Sequence, residues 1–443
     1  AEGAPMQDEA ATRRQRSRAG SSGMAIVALV ALAGAAAWLV LFYPGFMSAD
    51  SAGQLLEARQ NIFSDGHPPL TAVVWRLLDA VVAGPFGMLL VQTAVFWTGL
   101  ALLAERLSSP VALKAGFLLL IGFAPPIVSI AGAIWKDVLM AAFLVMAFGL
   151  AGAGKTFWIF ALLATMTRHN AVLAVAGAVL LHFWASGPSL AGLIRAAIAT
   201  IALFVCALGI NAALIQHKGY PTQMIALFDV VGMAAVRGTT PDLPACFVRE
   251  TPIDAQRVAR SYDPRSIFYL ISPGSGFQYC FDPEAVSTLT RAWLGSTVAN
   301  PTAYLTHRLK VSAHLLGIHD TPGNYIMTRS TYAPADHPGL ESAVGQSPLQ
   351  ASFERGVLAM KPYGVFRPWL YCLLGAAACA VALRRRLWWP FCIALSGLAY
   401  EAGLLVVAPS EDYRYSLWMI VSALIAVAWV AIEALDARGA SRT

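Results

Sequence analysis

Met24–Tyr43 reads MAIVALVALAGAAAWLVLFY. At about 1.5 Å of rise per residue, this uncharged run is long enough to cross roughly 30 Å of hydrocarbon as a helix. Arg13, Arg14, Arg16 and Arg18 stand just ahead of it, the flank of a cytoplasmic end. A signal peptide has a shorter apolar core and a small-residue cleavage site, whereas this run closes on Trp38, Phe42 and Tyr43; a retained first helix is expected. Ala1–Pro5, ahead of Met6, reads as a tag remnant. The composition agrees with a membrane solvent: of 443 residues, 57% are hydrophobic and 13% charged, against roughly 25% charged in soluble domains. The net charge of +6 comes from basic residues scattered between apolar runs, so no nucleic-acid partner is expected. The fold class expected is an all-α polytopic membrane protein.

Further apolar runs lie at Gly84–Ala104, Ala115–Ile130, Val138–Ala153, Phe157–Thr165, Ala171–Trp184 and Ile194–Ile215. After a long polar interval come Phe366–Leu383, Trp388–Val407 and Leu417–Leu435. About ten transmembrane helices are expected on hydropathy. Phe157–Thr165 and Ala171–Trp184 are short, and read either as two tilted helices or as one bent element. With both termini cytoplasmic, the inward loops carry Arg106, Lys114, Lys155, Arg195, the Arg384–Arg386 triplet, Arg438 and Arg442. The short outward loops carry little beyond Lys136, Arg168 and Arg414, as the positive-inside rule requires. The chain then divides into a cytoplasmic tail (1–23), an N-terminal transmembrane module (24–215), an outer loop or lid region (216–364), C-terminal transmembrane helices (365–435) and a tail (436–443). In the outer region, Met224–Val236 and Ala303–Ile318 read as interfacial or re-entrant helices. Cys246 and Cys280 both lie there, where an oxidising periplasm allows them to pair.

Four outward loops hold the candidate chemistry. In the first, Asp50 follows the first span and opens a short helix through Leu55, Leu56 and Arg59, where the positive end of the helix favours a carboxylate; an ordinary helix cap is the competing reading. His67-Pro68-Pro69 then turns the chain into a helix with Leu70, Val73, Val74, Leu77, Leu78 and Val81 on one face, opposite Arg76 and Asp79. That pattern suits a helix lying flat in the membrane interface. The second loop is Trp135-Lys136-Asp137, with a surface ion pair between Lys136 and Asp137 as its plain reading. The third is Thr167-Arg168-His169-Asn170, and an arginine in such apolar company is usually aimed at an anion or the protein interior. The last is Glu411-Asp412-Tyr413-Arg414-Tyr415. A carboxylate can accept a proton from an attacking hydroxyl, and arginines can hold a departing phosphate by bidentate hydrogen bonds. The combination points to transfer of a group from a lipid phosphate on the outer face.

These positions resemble those of the type-C (GT-C) membrane glycosyltransferases. The resemblance rests on Asp50 after the first span, His67-Pro-Pro-Leu70 before an interfacial helix, Asp137 in the second outer loop, Arg168-His169-Asn170, and Asp412-Tyr413-Arg414-Tyr415 before the last span. It implies GT-C-like architecture and a sugar donor carried on a polyprenyl phosphate. By matching position, Asp50 would be the catalytic base and Asp137 a second catalytic carboxylate that orients the acceptor or binds a metal. Arg168 and Arg414 would grip the donor phosphate, His67 would line the pocket, and His169, Asn170, Asp412 and Tyr413 would complete the substrate site. Relatives often carry an acidic pair in the first loop, whereas Asp50 is flanked by Ala49 and Ser51. One carboxylate gives a divalent ion little to hold, so no metal cofactor is favoured. The acceptor implied is a glycolipid or lipid-linked saccharide, such as lipopolysaccharide or another envelope glycan, in a bacterial inner membrane. Two other readings stay open: an envelope glycan ligase or polymerase using Arg249, Arg257, Arg260 and Arg265, and a transporter or flippase of lipid-linked sugars.

Overall fold

The computed structural model describes residues 5–250, 253–331 and 346–440. The tag remnant at Ala1–Pro5 lies outside them except for Pro5, which opens the first helix, and so does Arg442. The first helices are α1 (Pro5–Phe42), α2 (Ala49–Gln60), α3 (Leu70–Asp79), α4 (Phe86–Glu105), α5 (Val111–Gly122) and α6 (Pro125–Val128). Next come α7 (Lys136–Gly149), α8 (Gly154–Thr167), α9 (Val172–Trp184) and α10 (Leu190–Leu214). The outer interval contains α11 (Thr222–Arg237), α12 (Ala255–Ser261), α13 (Ile267–Leu270), α14 (Pro283–Ala299), α15 (Pro301–Leu315) and α16 (Pro348–Met360). The chain closes with α17 (Pro368–Arg385), α18 (Trp388–Val407) and α19 (Leu417–Ala440). Among the described residues there is no strand, only isolated bridges between loops. The fold is all-helical.

Among the described residues, five helices are long and apolar enough to cross a membrane: Ser22–Phe42 of α1, α4, α10, α18, and Tyr413–Arg438, which takes in most of α19. A sixth candidate is the pair Pro348–Tyr363 and Pro368–Arg385, bent by 71°. The expected ten apolar runs are all helical, but ten spans of full length are not what forms. The run Ala115–Ile130 is broken: α5 stops at Gly122 and α6 begins at Pro125, because Pro125-Pro126 cannot donate to a continuing ladder. The short third-loop run is two helices, α8 and α9, joined by a 3-10 turn at His169–Ala171. With 14 residues each, α7 and α8 rise only about 21 Å. Helix α1 begins at Pro5 and so takes in most of the expected tail.

Helix α7 is the axis of the bundle, buried at every position from Asp137 to Gly149. It meets α4 closely at Gly99, where an added Cβ would stand 2.6 Å from the Met146 backbone nitrogen; small residues at such crossings let helix backbones approach. Trp38 of α1 stacks on Phe96 with ring centroids 5.0 Å apart and donates Nε1–H to the Gly122 carbonyl at 3.0 Å. By contrast α10 buries only Gly192, Ala196, Ala207 and Asn211, leaving an apolar outer surface suited to lipid. At one end of the bundle, the Arg106 guanidinium lies 5.1 Å from the Trp389 ring centroid and donates to the Gly149 and Ala151 carbonyls. Ser109 bonds Asp436 there as well. The loops read as inward therefore share one end.

The two semi-apolar stretches of the outer interval become α11 and α15, which pack on each other. Asp229 of α11 and His307 and Arg308 of α15 are at most 1% exposed. His307 Nε2 is 2.9 Å from one Asp229 oxygen, Arg308 pairs with the same oxygen at 2.7 Å, and Trp293 donates to the other at 2.7 Å. Gly232 is required beside them, since a Cβ would fall 2.2 Å from His307 Nδ1. A Cys246–Cys280 disulfide ties this region, with Cα atoms 5.6 Å apart. Helix α3 buries Leu70, Thr71, Ala72 and Trp75 against the protein and leaves Leu77 68% and Val81, just past its end, 83% exposed. Trp75 sets the rotation by donating to the Gly84 carbonyl at 3.0 Å, which turns Leu77 and Val81 outward.

Candidate active site

The first and second outward loops are joined by their backbones. Phe46 N donates to Gly132 O and Ile134 N to Phe46 O, both at 2.9 Å. Gly132 permits the approach, because a Cβ would sit 2.6 Å from the Phe42 ring. Ser51 Oγ then donates to the Ile134 carbonyl at 2.7 Å, and Trp135 Nε1 to Ser48 Oγ at 2.9 Å. Asp50 and Asp137 are each the second residue of a helix, α2 and α7, so these contacts bring two helix N-termini together. Both carboxylates sit where backbone N–H groups favour negative charge. The capping reading of Asp50 does not hold: Ser48 is the N-cap residue, and Ser51 Oγ accepts from the Ser48 amide at 3.2 Å. The Asp50 side chain points elsewhere.

It points to Arg414, whose Nη2 is 2.7 Å from Asp50 Oδ2. The last outward loop delivers this arginine: Tyr413 N donates to Gly323 O at 2.9 Å, and the Tyr413 hydroxyl donates to the Pro126 carbonyl at 3.0 Å. Arg414 also pairs with Asp412 at 2.9 Å and comes within 4.0 Å of Asp137. Its guanidinium lies 4.8 Å from the Trp135 ring centroid, a favourable cation–π distance. Asn324 of the outer interval donates to Asp412 at 3.2 Å. Arg168 closes the third side, paired with Asp137 and 4.9 Å from the Tyr415 ring centroid.

The fourth side corrects an expectation. Lys136 does not pair with its neighbour Asp137, which Arg168 occupies instead. Its Nζ lies 2.6 Å from His67 Nδ1; burial, followed by the Arg168 charge, lowers the Lys136 pKa to about 7, and in its ammonium form the lysine donates and the imidazole accepts. In that form the His67 proton sits on Nε2, which faces Asp50 Oδ1 at 3.9 Å. The Lys136 charge, followed by burial, lowers the His67 pKa to about 3, and the ring is neutral at neutral pH. Burial alone would raise the Asp50 carboxyl, but Arg414, with His67 and Lys136, overrides it and holds Asp50 at about 2. Asp50 is therefore a carboxylate.

Three carboxylates (Asp50, Asp137, Asp412) thus face three cations (Arg168, Arg414, Lys136). Side-chain exposure grades across the cluster, from 0% at Asp137 and 10% at Arg414 to 32% at Asp50 and 29% at His67. An incoming molecule meets Asp50 and His67 first. Lys136 is the one cation of the three with no carboxylate within 4.0 Å among the described residues, where a surface ion pair with Asp137 was the plain expectation. Its spacing next to Asp137 gave no sign of the partner 69 residues away. Trp135, Asn324 and Tyr415 are the other members that residue type alone did not single out. Two expected members stand at the margin: His169 accepts from Asn211 at 3.1 Å, fastening the third loop to α10, and Asn170 lies beside Tyr400. No three His, Cys, Asp or Glu side chains among the described residues are grouped as a metal site, and the carboxylates of the cluster are each engaged by a guanidinium. No family model, curated protein or solved structure matches this chain.

Proposed function

We propose that this protein is a GT-C-type membrane glycosyltransferase that moves a sugar from a polyprenyl-phosphate donor to a lipid-linked or envelope glycan acceptor. The site would face the periplasm of a bacterial inner membrane. The observation that carries the reading is Asp50: a carboxylate with one oxygen on Arg414 and the other at the open edge of a charged cluster that four loops build at one end of an apolar bundle. In the reaction, the acceptor hydroxyl gives its proton to Asp50 Oδ1, and its oxygen attacks the anomeric carbon. The carbon–oxygen bond to phosphate breaks, and the phosphate leaves with the electron pair. A leaving phosphate gains charge as the bond breaks, and cations already in place stabilise it without reorganisation.

Arg168 and Arg414 are largely neutralised by aspartates, so the phosphate relies first on Lys136, with His67 holding the ammonium in position. This deepens the role of the second loop, which the resemblance gave to Asp137 alone. The buried Asp137 serves as a positioning residue for Arg168. An envelope glycan ligase is the second reading, favoured by one observation: a polar cavity of about 630 Å³ in the outer interval lined by Arg257, Arg260 and Tyr269. Arg257 there is paired with Glu250 and Arg265 with Asp263 at 2.6 Å, which leaves that basic group largely neutralised. The deciding assay is transfer from a polyprenyl-phosphate sugar in proteoliposomes. Asp50→Asn abolishes transfer while the protein remains folded; near-normal turnover in that variant would remove the base and the proposal with it. Mass spectrometry of co-purifying lipids identifies the donor class independently.

A further inference from the structure

On another flank of the bundle, α15, α17 and α18 border a groove of about 300 Å³, a size at the lower limit of ligand sites. Its walls are Leu309, Leu315, Leu316, Cys372, Leu398 and Leu405, and Leu309 is 59% exposed, so the groove opens sideways. Two polar residues interrupt the apolar lining, Ser312 and Glu401. Glu401 is 9% exposed. One of its oxygens accepts from Ser416 Oγ at 2.8 Å, while Oε2 is buried without a hydrogen-bond partner. Ser312 Oγ is likewise buried and unpartnered. Leaving such groups unsatisfied is costly, and an ionisable residue at membrane depth is a functional marker by default.

Complementarity narrows the occupant. The carboxyl oxygen accepts a hydrogen bond, and the serine hydroxyl can donate one. A free hydroxyl offers both partners, a donor for Oε2 and an acceptor for Ser312. No cation lines the groove, which disfavours a phosphate headgroup, and the leucine walls fit an alkyl chain. Glu401 lies six residues before the end of α18 at Val407, roughly 9 Å along the axis. We infer that this groove binds a neutral lipid alcohol, an apolar chain carrying one free hydroxyl, such as a diacylglycerol. The inference goes beyond the transferase reading and stands without it.

Photolabelling tests it. The intact protein in nanodiscs is illuminated with a diazirine-bearing diacylglycerol, and adducts are mapped by peptide mass spectrometry. Adducts are expected to concentrate in 309–316 and 398–405, and unlabelled diacylglycerol is expected to compete them away. Ala402→Trp, which fills the groove from an exposed position, lowers labelling there about tenfold, and Glu401→Leu lowers it more than Glu401→Gln. A capped diacylglycerol with its hydroxyl acetylated competes poorly on the unmodified protein, a comparison that depends on no variant. Adducts spread evenly over the outward-facing helices, or equal competition by the capped lipid, overturn the assignment.

Discussion

Asp229 and Asp50 both face an arginine and a histidine, yet their surroundings differ. Asp229 has 0% exposure, and both oxygens are occupied by His307, Arg308 and Trp293. Asp50 has one oxygen on Arg414 and another that faces the neutral His67 imidazole at 3.9 Å. A saturated, water-excluded acceptor has no vacancy for a proton, so its role is to hold α11 against α15. An acceptor with an open lone pair at a cluster's edge can receive one. The difference separates a scaffold from a reaction centre even though the residue types are nearly the same.

Removing the closed carboxylate should have the largest effect on folding. Asp229→Ala leaves Arg308 buried and unpaired, and is expected to cost about 3–5 kcal/mol, read as a loss of thermal stability in detergent. A small loss there would end the contrast. Asp50→Asn should do the reverse, lowering turnover by roughly 10²–10³-fold with unfolding unchanged within a few degrees. The pH dependence of stability sharpens the point at His67. Its folded pKa, about 3, lies below the unfolded value, so the unfolded chain takes up the proton first and stability falls as pH drops below about 6.5. Between pH 7 and pH 5 that amounts to about 1–2 kcal/mol. His67→Gln should flatten that part of the profile, and an unchanged slope would contradict the neutral ring.

Lys136→Met is expected to raise the apparent KM for the donor about tenfold, near 1.4 kcal/mol, more than it lowers kcat. An effect confined to kcat would move Lys136 from phosphate binding to chemistry. The smallest change is expected at the pair Arg59–Asp79, 2.9 Å apart with Arg59 35% exposed. It ties α2 to α3 at the surface, and Arg59→Ala should cost less than about 1 kcal/mol, measured by the same unfolding assay.

Some of this organisation is legible in the order of residues. The apolar runs become helices because twenty or so side chains without charge leave the backbone no partner but itself in lipid. The starts set by Pro110 and Ser189 lie one turn before the expected ones: α5 begins at Val111, not Ala115, and α10 at Leu190, not Ile194. The candidate loops were legible too, because charge in so apolar a chain is conspicuous. The count of full-length spans was less so: hydropathy averages across the Pro125-Pro126 break and cannot see that α7 to α9 are short.

Partner choice was not legible at all. Sequence alone determined that Asp50, Asp137, Arg168 and Arg414 would stand at the ends of apolar segments. Only the tertiary structure decided that Arg168 would take Asp137, that Lys136 would turn from its neighbour to His67, and that Asp229 would be sealed. The physical reason is range. Helix formation depends on neighbours within a turn or two, whereas these pairings join residues from 31 to 364 positions apart and follow from how helix ends meet when the bundle packs.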